Sequence, residues 1–217
     1  MNRTYACNRD FLRQLRLRNG WTQSDLAKRA GYSERLISKA EAGSPIALET
    51  IVDLADAFSE EEEQQIYWED LACDPVALAQ RFIHAVYTYQ KDTVSHIRDF
   101  LAEDCVFRVA GNPEEIPFAG EHVGIDATDR MFQIFFSILE VPKGHDHTKH
   151  FQYFCQGPNA IIWGDSWIHP IGRPMETPIR VSHLLMFKRG KLMLLDDCYD
   201  TAAGAAILRD SSAPKPE

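Results

Sequence analysis

The densest set of metal-type donors in the chain is His145, His147 and His150, with Asp146 among them. Imidazoles at i and i+2 share one face of a strand, a spacing that zinc can use. The set follows Pro142-Lys143-Gly144, a loop signal, with no thiolate or glutamate to complete a closed site, so the expectation is a solvated, pH-sensitive patch and no metal. Five cysteines (Cys7, Cys73, Cys105, Cys155, Cys198) include no Cys-x-x-Cys pair. That suits neither a disulfide scaffold nor a structural zinc site, and reduced thiols are expected. Trp163, Trp167 and His169 alternate along one strand with Asp165 between them. They either line a pocket or form a subunit surface, and parity alone leaves both open. The remaining chemistry is charge: residues 1–39 hold nine Lys or Arg against three Asp or Glu, whereas Ala40 to Cys73 holds ten acids and no Lys or Arg. A local +6 within a chain of net charge −9 points to an anionic partner for one end.

The elements that must position these groups are legible in outline. At 217 residues, 45% apolar and 25% charged, the chain has globular composition, which excludes collagenous and disordered classes. No stretch approaches the roughly eighteen apolar residues of a spanning helix, and MNRTYACNRD lacks a signal-peptide layout, so no membrane partner and a cytoplasmic address are expected. In the basic head, Leu12, Leu15 and Leu17 lie among arginines until Asn19-Gly20 stops a first helix. Thr22-Gln23-Ser24-Asp25 reads as a capping box, Gly31 ends the second helix, and Ser33 caps a third that runs to Gly43. Two short helices joined by a tight glycine turn make a helix-turn-helix. A fourth amphipathic helix carries Leu48, Ile51, Leu54, Ala55 and Phe58 and closes an all-helical domain over 1–58.

Residues 59–74, with four consecutive glutamates, are read as an acidic linker or helix extension. Asp74-Pro75 starts a long helix bearing Val76, Ala79, Ile83 and Tyr87, and a shorter helix follows Asp92. Then come a strand at 105–109, a phenylalanine-rich helix at 126–139, and strands over 150–156, 160–169, 177–188 and 191–199. Helices followed by an antiparallel meander make an α+β layer over 75–208, and the tail, 209–217 with SSAPKPE, reads as disordered.

The segment WTQSDLAKRAGYSERLISKAEAGSPIALETIVDLADAF resembles the Cro/phage-repressor (XRE) type of DNA-binding domain, on Gln23, Leu26-Ala27, Ala30-Gly31, Ser33, Ile37, Glu41, Gly43 and Leu54-Ala55. The resemblance implies that the second helix of the motif enters the major groove with Ser33, Glu34, Arg35, Leu36 and Lys39 on its reading face. Arg35 carries the planar fork that matches guanine, and Leu36 would touch a thymine methyl. Gln23 would clamp a phosphate at a helix start, and Arg13 would add a backbone contact. One such unit makes few contacts, so a homodimer on double-stranded, palindromic DNA is expected, with half-sites about 34 Å apart.

The order of elements, with PFAGEHVGIDATDRMF, SHLLMFKRGKL and DDCYDTAAGAAIL, resembles the SnoaL-like branch of the nuclear transport factor 2-like superfamily. That implies a cone, a bent sheet wrapped on helices around an apolar pocket. Matching to the ketosteroid isomerases of that superfamily puts Phe82, Val109 and Ser182 where the enzyme has its oxyanion tyrosine, base aspartate and protonated aspartate. Without those groups, steroid-type isomerisation is excluded and no catalytic residue is assigned. The same matching turns Asp197 and Tyr199 toward the cavity and places its wall at Phe82, Val109, Ser182, Leu184, Asp197 and Tyr199, joined by Trp167 and His169. A small apolar ligand and no cofactor are expected there. The leading reading is a DNA-binding transcriptional regulator whose second domain dimerises and binds that ligand. The alternatives are a purely dimerising second domain, or a cyclase- or hydrolase-type enzyme with Asp197 as base on a DNA-binding head.

Overall fold

A computed structural model of the chain describes residues 4–60 and 65–212. They divide into two compact units: Met1–Pro75 with the hairpin tips Cys155–Asn159 and Phe187–Gly190, and the remainder from Val76 onward.

The first unit holds α1 (Arg9–Arg18), α2 (Gln23–Ala30), α3 (Glu34–Glu41), α4 (Leu48–Ser59) and a single turn, α5 (Trp68–Leu71). Strands β1 (Thr4–Tyr5) and β2 (Ile46–Ala47) pair antiparallel. Caps set the helix boundaries. Thr22 Oγ1 accepts from the Asp25 amide at 3.1 Å while Asp25 Oδ2 accepts from the Thr22 amide at 2.9 Å, a reciprocal box that satisfies two orphan donors. Gly31 ends α2 at φ 75°, a left-handed conformation glycine adopts without penalty, so the chain reverses in two residues before Ser33 caps α3. The core gathers Leu12, Leu15, Leu26, Ile37, Ile51, Leu54 and Phe58, all fully enclosed, with Trp21 stacked on Phe58 at 5.4 Å.

Residues 66–72 fall in the stretch read from sequence as a linker, yet Ile66 and Leu71 are buried in the head's core and Trp68 packs against it. Apolar side chains at that spacing anchor the segment despite its acidic neighbours. Residues 61–64, which include three of the four consecutive glutamates, lie outside the described residues.

The second unit opens with α6 (Pro75–Tyr89), starting at the expected proline, and α7 (Thr93–Ile97). Strand β3 (Leu101–Val109) is longer than expected, and β4 (Gly120–Val123) was not foreseen. There follow α8 (Ile125–Ile138), β5 (Leu139–Glu140), β6 (Phe151–Gln156), β7 (Asn159–Ser166), β8 (His169–Pro170), β9 (Ile179–Lys188), β10 (Lys191–Tyr199) and α9 (Thr201–Ser212). The main sheet has the order β4-β3-β10-β9-β7-β6, and β5 pairs with β8. Strand β10 lies parallel to β3, so the sheet is mixed where a pure meander was expected. Helix α9 continues through 209–212, the start of the stretch read as a disordered tail; residues 213–217 lie outside the described residues. At Gly164 a Cβ would stand 2.2 Å from the His150 carbonyl oxygen, a close approach that only glycine permits.

Candidate functional site

In the head, α3 buries Ile37 and Ala40 and leaves Ser33, Glu34, Arg35, Ser38 and Lys39 exposed. Leu36 is half-buried against the core, so it belongs more to the bundle than to the outer face proposed for it. The Ser33 hydroxyl accepts from the Leu36 amide at 3.3 Å and is committed to capping. Ser38, absent from the sequence-based set, stands one turn beyond Glu34 and Arg35; its i+3 and i+4 spacing from them was the signal that could have found it.

The same helix is locked from within. Glu41 accepts from Arg16 Nε at 2.5 Å, from Arg16 Nη2 at 3.0 Å and from Gln23 Nε2 at 2.8 Å, while Arg16 Nη1 donates to the Trp21 carbonyl at 2.8 Å. The side chains of Arg16 and Glu41 are 9% and 7% exposed. Burial pushes the Glu41 pKa up, but the hydrogen bonds from Arg16 and Gln23 and the Arg16 charge outweigh it and hold the carboxyl below its usual range. Gln23, assigned to a phosphate, thus spends a donor inside the protein and fixes the start of α2 against the end of α3. Tyr32 Oη donates to Asp53 Oδ2 at 2.5 Å, tying the turn between α2 and α3 to α4. Arg13 and Lys28 are exposed, and Arg29 lies over the Trp21 ring at 4.3 Å.

In the second unit a cavity of about 150 Å³ lies between α6, α8, α9 and the inner face of the sheet. Helix α6 supplies Phe82 and Tyr87, β3 supplies Phe107 and Val109, α8 supplies Phe132 and Phe135, and β10 supplies Leu195, Asp197 and Tyr199. The parallel ladder sets Asp197 beside Val109 and Leu195 beside Phe107, so these four share one face. Phe82, Val109, Asp197 and Tyr199 are therefore together on the wall.

Four other candidates are elsewhere. On β9 the buried residues are Val181, Leu185 and Phe187, which puts the odd positions inward; His183 lines the cavity, and Ser182 and Leu184 belong to the opposite face. His169 is buried between Pro170 O at 2.9 Å and Glu140 Oε1 at 3.8 Å, outside the wall. Trp167 packs on His145 and His150, with ring centroids 6.4 and 6.2 Å away. Trp163 and Asp165 point outward, bridged by Arg180, whose Nε donates to Asp165 at 2.6 Å and whose guanidinium lies 5.3 Å from the Trp163 ring.

The polar groups of the cavity divide sharply. Tyr199 Oη donates to Ala110 O at 3.0 Å, and burial, then the Asp197 charge, raises its pKa. Tyr87 Oη donates to Ser166 Oγ at 3.2 Å, and burial pushes it up to about 12. His183 Nδ1 and Asp197 Oδ1 lie 2.8 Å apart, yet neither is aimed along a hydrogen bond and both are buried without a partner. An imidazole beside a carboxylate in apolar surroundings can exchange a proton with a bound molecule or hold a polar group in place.

The histidine loop is more enclosed than expected. His145 stacks on His150 at 4.7 Å, and Tyr87 stacks on His147 at 5.1 Å. Burial first, then His150 and His147, lowers the His145 pKa; burial first, then His84, lowers that of His147. Among the described residues no three His, Cys, Asp or Glu groups are placed to hold a metal ion. All five cysteines are free, and burial drives the Cys7 and Cys73 thiols up to about 12. No described helix is long and apolar enough to cross a membrane.

A family model described as "Helix-turn-helix" matches residues 12–64. No curated protein matches the chain. Among solved structures, a nuclear transport factor 2-like protein from Burkholderia xenovorans LB400 is 18% identical, with a TM-score of 0.51, over 64% of this chain and 95% of that one. A provisionally assigned isomerase from Rhodopseudomonas palustris is 17% identical, with a TM-score of 0.50, over 59% of this chain and 95% of that one. A provisionally assigned SnoaL-like polyketide cyclase from Shewanella denitrificans OS-217 is 16% identical, with a TM-score of 0.44, over 62% and 96%. At these identities the likeness speaks for fold alone. Residues 12–64 thus match a helix-turn-helix family, which supports DNA binding, and the second unit has the nuclear transport factor 2-like fold.

Proposed function

We propose that the protein is a sequence-specific, homodimeric transcriptional regulator that works in the cytoplasm and whose second domain takes up a small apolar ligand. The observation that carries the DNA half is the outer face of α3, where Glu34, Arg35, Ser38 and Lys39 stand exposed on a helix pinned by the Arg16–Glu41–Gln23 network. Such a face enters the major groove, and Arg35 reads guanine through its O6 and N7 acceptors. A second copy is supported by the outer sheet face, where Phe154, Ile161, Trp163 and Met186 are exposed on the neighbouring strands β6, β7 and β9. Apolar side chains gathered on one face are what an isologous interface buries, and two heads supply the contacts one lacks. The cavity, nearly all apolar with one unpartnered polar pair, supports the ligand.

Selection of binding sites from random duplexes tests the reading. Arg35→Ala should flatten base preference at one position per half-site by about 1–3 kcal/mol. An unchanged preference would refute the assignment of α3.

The His183–Asp197 pair favours a second reading, an enzyme of cyclase or hydrolase type with Asp197 as general base. Deuterium exchange into the α-positions of cyclohexanone, catalysed by the intact protein and lost in Asp197→Asn, would establish it; no exchange above buffer would remove it.

A further inference from the structure

We infer that the cavity is built for a single aromatic ring bearing a hydroxyl group, a phenol-class molecule held by His183 and Asp197. The inference rests on the ligand-binding reading above and narrows it to one chemistry. Size comes first. A cavity of about 150 Å³ is of the size that admits a benzene-sized guest. Its rings are arranged for a flat occupant: Phe82, Phe107 and Phe132 face one another at 6.1–6.5 Å in tilted or edge geometry, and Phe118 meets Phe135 edge-on at 4.6 Å. Aromatic edges and faces presented together favour another ring over an aliphatic chain.

The polar end is selected by what is unpaired. Tyr199 and Tyr87 have spent their protons on Ala110 and Ser166. Among the described residues, the buried polar side-chain atoms of the wall without a partner are His183 Nδ1 and Asp197 Oδ1, 2.8 Å from each other. A group sitting over both must accept from the imidazole N–H and donate to the carboxylate, which accepts only. A hydroxyl oxygen at ordinary hydrogen-bond distance from each atom forms a near-equilateral triangle with them. A ketone or ether would leave the carboxylate unsatisfied, and a hydrocarbon would leave both. An aromatic hydroxyl is the more acidic kind, and its bond to a carboxylate is of the stronger, charge-assisted type.

Calorimetric titration of the intact protein with toluene, anisole and p-cresol tests this; anisole and p-cresol are isomers and differ in whether the oxygen carries a proton. The expected result is p-cresol binding at least about tenfold tighter than the other two, since hydrogen bonds to a charged group are worth that much or more. Asp197→Asn should shrink the preference for p-cresol while toluene binding stays as it was. Equal affinities for all three would overturn the hydroxyl assignment and leave the apolar-ligand reading standing. Binding of none would remove both. The comparison within the unaltered protein decides the matter even if the variant fails to fold.

Discussion

Removing the Glu41 carboxylate should cost the head a large part of its stability. Glu41 receives three hydrogen bonds, two from Arg16 and one from Gln23, and its side chain is 7% exposed. In Glu41→Ala the Arg16 guanidinium, itself 9% exposed, keeps its bond to the Trp21 carbonyl but loses its counter-charge. Breaking a buried pair in this way costs about 3–5 kcal/mol, most of it the penalty of an uncompensated charge. Small domains hold about 5–15 kcal/mol in total, and each kcal/mol moves their melting point by about 4–8 °C. The helical transition should therefore fall by at least about 12 °C, measured by circular dichroism at neutral pH. Arg16→Met combined with Glu41→Leu should recover most of the loss, because apolar partners of similar volume require no desolvation of charge. The pair also sets an acid limit. With its pKa held down in the fold, Glu41 contributes stability that is complete above its unfolded value, near 4.3, and lost as pH falls through the folded one. A Glu41→Ala transition within about 1 kcal/mol of the parent would mean that water reaches the pair, and the argument for a rigid α3 would fail.

Gly164→Ala should destabilise the sheet by about 3 kcal/mol or more, because the new methyl meets the His150 carbonyl oxygen and the Phe151 Cα as well as the Phe151 ring, and the two backbone atoms cannot swing aside; urea unfolding of the second domain measures it. His145 and His147 have lowered pKa values, so the unfolded chain binds more protons between the folded and unfolded values. Stability is complete above the unfolded value, near 6.5, and declines as pH falls below it. Melting points recorded from pH 7.5 down to 5.5 should fall, and less steeply in His147→Gln; a flat profile in the parent would contradict the burial of the histidine stack.

The legible parts of this chain were those written in local contacts. The Thr22–Asp25 box, the Ser33 cap and the Gly31 reversal each depend on residues within four positions, and the structure places them where the residue types point. The long helix after Pro75 announced itself by period. Strand β4 did not: GEHV has two polar centres and a glycine, and only pairing with β3, residue against residue from Val106 to Val109, makes it a strand. The parallel match of β10 with β3 joins positions about ninety residues apart and left no local trace.

His183 was missed for a more specific reason. In SHLLMFK both parities of β9 carry apolar residues, Leu185 and Phe187 inward and Leu184 and Met186 on the other side, so hydrophobicity could not fix the register. The flanking charges could have. Arg180 and Lys188 share the parity of Ser182 and Leu184 and are both exposed, which marks that parity as the outer one. The outer face of the sheet thus carries apolar residues as well, and the pattern that hid His183 is the one on which the proposed dimer rests.

The proposed dimer can be tested through salt. The head's +6 is concentrated in residues 1–39, and these are the cations that can meet phosphates. If three of the exposed Arg13, Lys28, Arg35 and Lys39 do so in each head, a dimer neutralises about six phosphates, and log affinity should fall with log salt at a slope near −5. A monomer would give about −3 and, without the gain of a linked second site, far weaker binding at any one salt concentration. Trp163→Glu places a charge on the outer sheet face, where Trp163 is 43% exposed. Sedimentation velocity should then show a monomer, with the slope reduced by about half and the base preference of α3 unchanged. A variant that remains dimeric, or a parent slope already near −3, would place the subunit contact somewhere other than this face.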